Sequence, residues 1–227
     1  MADINLLLIN TAAFLDTIDW FLVNFGANRI QRMPDLYIVA GCNGAGKTTA
    51  SFTVLPKMLN CQEFVNADSI AAGLSPFNPE SVAFEAGRIM LKRINELMAA
   101  GVDFAFETTL STRSYVSLIK KAHSSGYTVN LLFFWLSSPE TAKQRVADRV
   151  KSGGHNIPPE IIDRRYYRGI SNLINLYITV CDTWLVVDTR VAVPDPVAQG
   201  GVDKEDMILN NDIWVEIIRQ SKLVINE

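Results

Sequence analysis

Lys47 and Thr48 close a glycine-punctuated stretch, Gly41-Cys42-Asn43-Gly44-Ala45-Gly46-Lys47-Thr48, that fits G-x-x-x-x-G-K-[ST] without a gap. Phosphate oxygens need several donors at close range, and glycines let backbone N–H groups curl inward with no Cβ in the way. A helix starting at the end of the loop turns its unpaired N–H groups and positive dipole end toward the same anion. Lys47 adds a full charge over the β- and γ-phosphates, and the Thr48 hydroxyl is the expected Mg²⁺ ligand. Gly41, Asn43, Gly44, Ala45, Gly46, Lys47, Thr48 and Thr49 are therefore the expected nucleotide-binding residues. A flexible glycine turn with a solvent lysine would need neither the apolar run before this stretch nor the helix-forming run after it. The guanine signature N-K-x-D is absent from the chain, which favours ATP.

Two carboxylates follow at the ends of apolar runs. Phe64-Val65-Asn66-Ala67-Asp68 delivers Asp68, and Phe104-Ala105-Phe106-Glu107-Thr108-Thr109 delivers Glu107. An acceptor hydroxyl attacking phosphorus needs a nearby carboxylate to take its proton. Asp68 is the candidate base, its alternative being a helix cap or turn residue. Glu107 orients the acceptor or holds Mg²⁺ through water; the alternative is an ion pair with Lys47 or with an arginine further along. Thr108 and Thr109 are ligands or turn residues. Cys42, inside the loop, is an inert filler or a reactive thiol.

The segment RVADRVKSGGHNIPPEIIDRRYYR supplies the cations. Arg145 and Arg149 share a helix face by their spacing. Gly153-Gly154 breaks that helix, and Arg164, Arg165 and Arg168 return on the next. Two arms joined by a glycine tip make a lid able to lay guanidinium groups on a transferring phosphoryl, with His155 as a hydrogen-bond donor at its tip. The alternative is solvent ion pairing with Asp148, Glu160 and Asp163.

Alternating strands and helices must position these groups. Apolar runs predict strands at Leu36–Ala40, Gln62–Val65, Val102–Phe106, Thr128–Leu136 and Trp184–Val187. Helices are expected at Thr48–Leu59, cut short by Pro56, and after Asn78-Pro79-Glu80, with Asn78 as cap and Gly101 as stop. On that second helix Val82, Ala86, Ile89, Met90, Ile94 and Leu97 should face the core. Further helices are expected over Thr112–Ser125, after a Ser138-Pro139-Glu140 start, over Pro158–Tyr177 and over Asp212–Gln220. The reading is an α/β, doubly wound, five-stranded and mostly parallel sheet with helices on both faces and an arginine-bearing lid. Val191–Gly201, with two prolines and two glycines, reads as a loop leaving the sheet. A single domain is expected over 1–227: an added N-terminal helical element (1–34, with a helix at Thr11–Arg32), a core (35–188) and a C-terminal extension (189–227).

Composition narrows the class. The chain has 227 residues, 48% of them apolar and 20% charged, with a formal net charge of -3, so neither nucleic acid nor an anionic membrane is an expected partner. Cys42, Cys61 and Cys181 form no disulfide framework or zinc pattern. Apolar runs fall short of the roughly 18 residues of a membrane span, and the LLLI at Leu6–Ile9 has no basic residue before it, which makes a poor signal peptide. The cytoplasm is the expected location.

GCNGAGKTT, FVNADSIAAGLSP, FAFETTLS and RVKSGGHNIPPEIIDRR, in this order and spacing, resemble the zeta-toxin family of P-loop kinases over roughly residues 35–188. The resemblance implies ATP- and Mg²⁺-dependent phosphorylation of a hydroxyl on a small acceptor, which in the toxins is the 3′-OH of UDP-N-acetylglucosamine. It assigns the phosphates to Lys47, the proton to Asp68, the sugar to Glu107 and Thr108, and the γ-phosphate clamp to Arg149 with Arg164 or Arg165. It also implies an antitoxin protein as a partner. Thr11–Arg32 would then pack on the domain, dock that partner or cover the nucleotide cleft. Two other readings share the same core: another small-molecule or polynucleotide 5′-kinase, and a nucleotide-binding switch or ATPase module with no acceptor.

Overall fold

Apolar residues fill both parities of the run from Leu36 to Ala40, and such a strand is stable only with both faces covered. Leu36, Ile38, Val39 and Ala40 are all buried. In the computed structural model, which describes residues 33–57, 59–154, 156–191 and 194–223, this run is the centre of the sheet. The expected helix Thr11–Arg32 and the lid-tip His155 lie outside the described residues.

The strands are β1 (Asp35–Gly41), β2 (Glu63–Val65), β3 (Phe104–Thr108), β4 (Thr128–Trp135), β5 (Thr183–Asp188), β6 (Asp195–Gly201) and β7 (Lys204–Ile208). The helices are α1 (Lys47–Lys57), α2 (Ala67–Leu74), α3 (Ala83–Ala100), α4 (Tyr115–Ser124), α5 (Pro139–Lys151), α6 (Pro159–Asn172) and α7 (Asn211–Ser221). The sheet order is β2-β3-β1-β4-β5-β6-β7, with the first five strands parallel. Tyr37 and Val39 face α1 across a small apolar space that Val54 and Leu55 also line. On the opposite face Phe106, in register with Ile38, packs its ring 4.9 Å from that of Tyr115 on α4.

Three local signals hold as expected. The Ser138 side chain accepts from Thr141 N–H and starts α5, Pro56 falls in the last turn of α1, and Gly101 (φ 65°) ends α3 in the left-handed conformation. The helix expected after Asn78 is corrected. Asn78 makes no side-chain cap; its carbonyl instead takes both the N–H (3.2 Å) and the hydroxyl (2.7 Å) of Ser81, so Pro79–Val82 is a 3₁₀ turn and α3 begins at Ala83. Ala86, Met90, Ile94, Leu97 and Met98 form the buried stripe of α3, whereas Ile89 sits off it, beside Phe52 and Phe64 in an open groove. The helix expected to Tyr177 is α-helical only to Asn172 and finishes as a π turn over Leu173–Tyr177.

The larger correction concerns strand number. Among the described residues the sheet has seven strands, not five, and the stretch expected to leave it as a loop instead supplies β6 from Asp195: β6 pairs antiparallel with β5, and β7 with β6. Pro196 is accommodated at the start of β6, next to a register shift at Val186/Val187. The glycines answer to close packing. A Cβ on Gly200 would stand 2.6 Å from the Trp184 ring, and one on Gly201 would collide with the Asp182 carbonyl. Trp184 in turn stacks on Trp214 of α7, 5.7 Å between centroids and 8° between planes.

Helix α7 is tied to the rest through one buried amide. Gln220 Oε1 accepts from Trp135 Nε1 and lies 3.0 Å from the Tyr166 hydroxyl, while its Nε2 donates to the Ser137 carbonyl (2.9 Å) and to Glu216 Oε1 (2.8 Å). Tyr166 immediately follows Arg165 on α6 and also reaches the Leu136 carbonyl (2.7 Å). Gln220→Ala strands the Trp135 N–H and the Ser137 carbonyl in a dry site, so unfolding in urea should require about 2–4 kcal/mol less free energy. A loss below about 0.5 kcal/mol, the range of ordinary surface changes, would contradict this account.

Candidate active site

The loop between β1 and α1 takes its shape from its neighbours. Gly41 has φ +139°, and any Cβ there would run into the Phe134 carbonyl of β4. Gly44 (φ +79°) approaches the α5 backbone closely enough that a Cβ would lie 2.9 Å from the Ala142 carbonyl oxygen. At Gly46 (φ +86°) the corresponding space is open and faces outward. Ala45 N–H closes a turn onto the Cys42 carbonyl, and Lys47 Nζ folds back to the same oxygen at 2.9 Å. Thr48 follows Lys47 in the first turn of α1, and Thr49 is exposed on the same turn.

Parallel pairing brings the second carboxylate under this loop. Glu107 of β3 is in register with Val39 and Thr108 with Ala40. Glu107 Oε1 lies 3.4 Å from Lys47 Nζ, with both side chains at least nine-tenths buried. Its Oε2 accepts two hydrogen bonds, from Thr48 Oγ1 and from Asn66 Nδ2, each 2.7 Å. The ion pair considered as the alternative for Glu107 is thus present. The Thr48 hydroxyl and the Glu107 carboxylate, adjacent hard oxygens at the mouth of the phosphate loop, fit the sparse protein share of a Mg²⁺ site, which leaves other positions to phosphate and water.

Asp68 stands in the first turn of α2, whose cap is Asn66: the Asn66 Oδ1 accepts from Ser69 N–H at 3.1 Å. A cavity of about 220 Å³ brings Asp68 together with Asn43, Lys47, Glu107, Thr108 and Arg165. Thr109, Ser111, Thr112 and Tyr115 complete the wall as a hydroxyl-bearing arc. Leu110 holds that arc in place. It is fully buried with φ +55°, unusual for a leucine, and is fixed by a bond from its N–H to Thr108 Oγ1 (3.1 Å) and one from Asn172 Nδ2 to its carbonyl (2.7 Å).

The arginines divide. Arg165 reaches the phosphate loop, its guanidinium 3.3 Å from Asn43 Oδ1. Burial lowers its pKa, the Asp68 carboxylate opposes that shift, and the neighbouring Arg164 charge adds to it. Arg164 faces a second cavity of about 350 Å³ that shares Asp68 and Arg165 with the first and extends to Glu80, Ile157 and Ile161. Arg149 is exposed on α5, with its stem against Gly154, and lines neither cavity. Arg145 clamps backbone instead, donating to the Thr189 carbonyl at 2.7 Å.

Asn66, Ser111, Thr112 and Tyr115 belong to the cavity but were not singled out as site residues from the sequence. The Ser/Thr run after Glu107 was the available signal for Ser111 and Thr112; for Asn66 it was its place two residues before Asp68. Cys42 is buried, and burial pushes its thiol up to about 11 in spite of Lys47 nearby. That makes it packing rather than nucleophile.

Two outcomes follow from this geometry. Glu107→Ala leaves the buried Lys47 ammonium without its counter-charge, so the ligand-free protein should lose about 3–5 kcal/mol in chemical denaturation; a loss within about 0.5 kcal/mol would show the pair to be incidental. Cys42, Cys61 and Cys181, all buried, should resist a thiol reagent at pH 7 in the folded protein and react together on denaturation. Rapid labelling of Cys42 in the folded state would contradict the packing role.

The sequence profile described as zeta toxin matches residues 25–194. A Haemophilus influenzae protein described only as uncharacterized is 33% identical over 127 residues, covering 56% of this chain and 88% of its own. Among solved structures, the AvrRxo1-ORF1:-ORF2 complex with ATP is 19% identical with a TM-score of 0.69, covering 98% of this chain and 73% of that one. A structure from the PezAT toxin–antitoxin system of Streptococcus pneumoniae is 14% identical with a TM-score of 0.60, covering 93% and 94%. At such identities the structural likeness speaks to the fold. The profile match, spanning the phosphate loop, both carboxylates and the arginine helices, is decisive: the chain belongs to the zeta toxin family.

Proposed function

We propose that this zeta-toxin-family kinase transfers the γ-phosphoryl group of ATP to a hydroxyl of a nucleotide sugar, UDP-N-acetylglucosamine at its 3′-OH being the leading acceptor. The observation that carries the reading is that Asp68, Glu107, Lys47 and Arg165 line one cavity at the mouth of the phosphate loop. The adjoining cavity of about 350 Å³ gives an acceptor larger than a monosaccharide room beyond Asp68.

In this mechanism the loop N–H groups and Lys47 hold the β- and γ-phosphates. Thr48, with Glu107 through water, would hold Mg²⁺, which when bound neutralises charge on those phosphates. Asp68 accepts the proton of the acceptor hydroxyl as its oxygen bonds to the γ-phosphorus and the bond to the bridging oxygen of ADP breaks. Arg165 stabilises charge on the transferring group, with Arg149 reaching it only through closure of the lid. Thr108 and the hydroxyl arc orient the sugar. An antitoxin protein is the proposed partner, in keeping with the AvrRxo1-ORF1:-ORF2 complex and the PezAT toxin–antitoxin system among the structures of like fold. Three free, buried thiols suit a reducing compartment, and the cytoplasm is the proposed location. Among the described residues no helix is long and apolar enough to cross a membrane.

The test is incubation with ATP, Mg²⁺ and a panel of nucleotide sugars and oligonucleotides, following new phosphomonoesters by phosphorus NMR, with Lys47→Ala as blank. A nucleotide-sugar phosphomonoester is expected. Asp68→Asn should lower turnover about 10²–10⁴-fold while ATP affinity stays within about threefold. Phosphorylation of the oligonucleotides alone, or of nothing despite tight ATP binding, would overturn the acceptor assignment, and an Asp68→Asn enzyme with most of its turnover would overturn the choice of base.

A further inference from the structure

Asn66 has no role in the mechanism above, yet its side chain joins the two elements that carry the carboxylates. The amide is used at both ends. Its Oδ1 accepts the Ser69 N–H at 3.1 Å and so caps α2, the helix with Asp68 in its first turn. Its Nδ2 donates at 2.7 Å to Glu107 Oε2, the same oxygen that accepts from Thr48. Asn66 is itself 6% exposed and sits in the extended conformation of a cap residue (φ -133°, ψ 119°).

We propose that Asn66 is a positioning residue for phosphoryl transfer: it holds the helix bearing Asp68 at a set distance from the carboxylate beside the phosphate loop. This rests on the kinase reading above. The chemistry explains why an asparagine stands here. Serine or aspartate would cap α2 equally well, since either offers an acceptor to the N–H groups of the first turn. Aspartate has no donor to offer Glu107, and serine's single short hydroxyl cannot stand at both of the places that Oδ1 and Nδ2 occupy. Aspartate would set a second carboxylate against the first, where two like charges cannot both be stable at hydrogen-bond distance. Alanine would lose both contacts. An amide supplies acceptor and donor from opposite ends of a rigid plane, so the spacing between α2 and β3 is fixed by one side chain. Transfer depends steeply on such spacing, because a misplacement of about 1 Å can cost about 100-fold in rate.

The experiment compares Asn66→Ser, Asn66→Asp and Asn66→Ala with the wild type and Asp68→Asn in the phosphoryl-transfer assay. It measures kcat, KM for the acceptor, ATP affinity and thermal midpoint. Asn66→Ser, which keeps the cap, should melt within a few degrees of the wild type and bind ATP within threefold, yet lose roughly 30–100-fold in kcat. Asn66→Asp should lose at least as much kcat, again with the cap retained. Asn66→Ala should add a fall in thermal midpoint, and serves only to separate capping from positioning. If Asn66→Ser and Asn66→Asp keep kcat within threefold while Asp68→Asn is inactive, the positioning role is overturned and the kinase reading stands. If the wild type transfers nothing, the acceptor assignment falls, and if Asp68→Asn turns over normally, the choice of base falls; either outcome takes this proposal with it.

Discussion

Glu107 is the group on which the site depends. Its two oxygens meet one cation and two hydrogen-bond donors, and its burial leaves water little share in the exchange. At 3.4 Å and an effective dielectric of about 20, the attraction to Lys47 is of the order of 5 kcal/mol before the cost of drying both charges is counted. Such a pair is unforgiving of displacement. Because Glu107 is in register with Val39, sliding β3 against β1 would separate it from Lys47 and leave two dry charges. The register of the parallel sheet and the placement of the phosphate-loop lysine are therefore one constraint seen from two sides.

The same pairing helps to fix the shape of the loop. Lys47 rests between the Cys42 carbonyl and Glu107, both acceptors, and an arriving polyphosphate offers it further oxygens of the same character. The loop conformation is imposed from outside as well, by the Phe134 and Ala142 carbonyls that exclude a Cβ at Gly41 and Gly44. Donors arranged in advance need no reorganisation when charge develops on a transferring group. The wall of the cavity after β3 is fixed in the same way, where a buried leucine in the left-handed conformation sits within the hydroxyl-bearing arc.

The C-terminal residues contribute at a distance. β6 and β7 lie beyond the matched family profile, yet they widen the sheet and give α7 a surface to pack on. Through Gln220 that helix grips Trp135 at the end of β4 and Tyr166 on α6, next to the arginine that reaches Asn43.

Much of this protein was legible in its sequence wherever the deciding forces act between near neighbours. The glycine spacing of the phosphate loop, the apolar runs of the five parallel strands, the serine that starts α5 and the glycine that ends α3 are all governed by backbone sterics or hydrogen bonds spanning a few residues. The proline and glycines of β6 misled for the same reason: read locally they break a strand, whereas Pro196 finds a place opposite Val187 at a register shift and the glycines pack against Trp184 and Asp182. The adjacent arginines Arg164 and Arg165 could not be told apart in sequence, since only the direction of α6 over the cleft sends one to Asn43 and the other to the second cavity. Asn66 and Glu107 are 41 residues apart, and nothing local announces that they share a hydrogen bond. Residue order and spacing are enough to put a phosphate loop and the carboxylates that follow β2 and end β3 on one rim; which side chains meet there depends on the fold, because those contacts form only after the sheet has brought distant segments to within hydrogen-bond distance of each other.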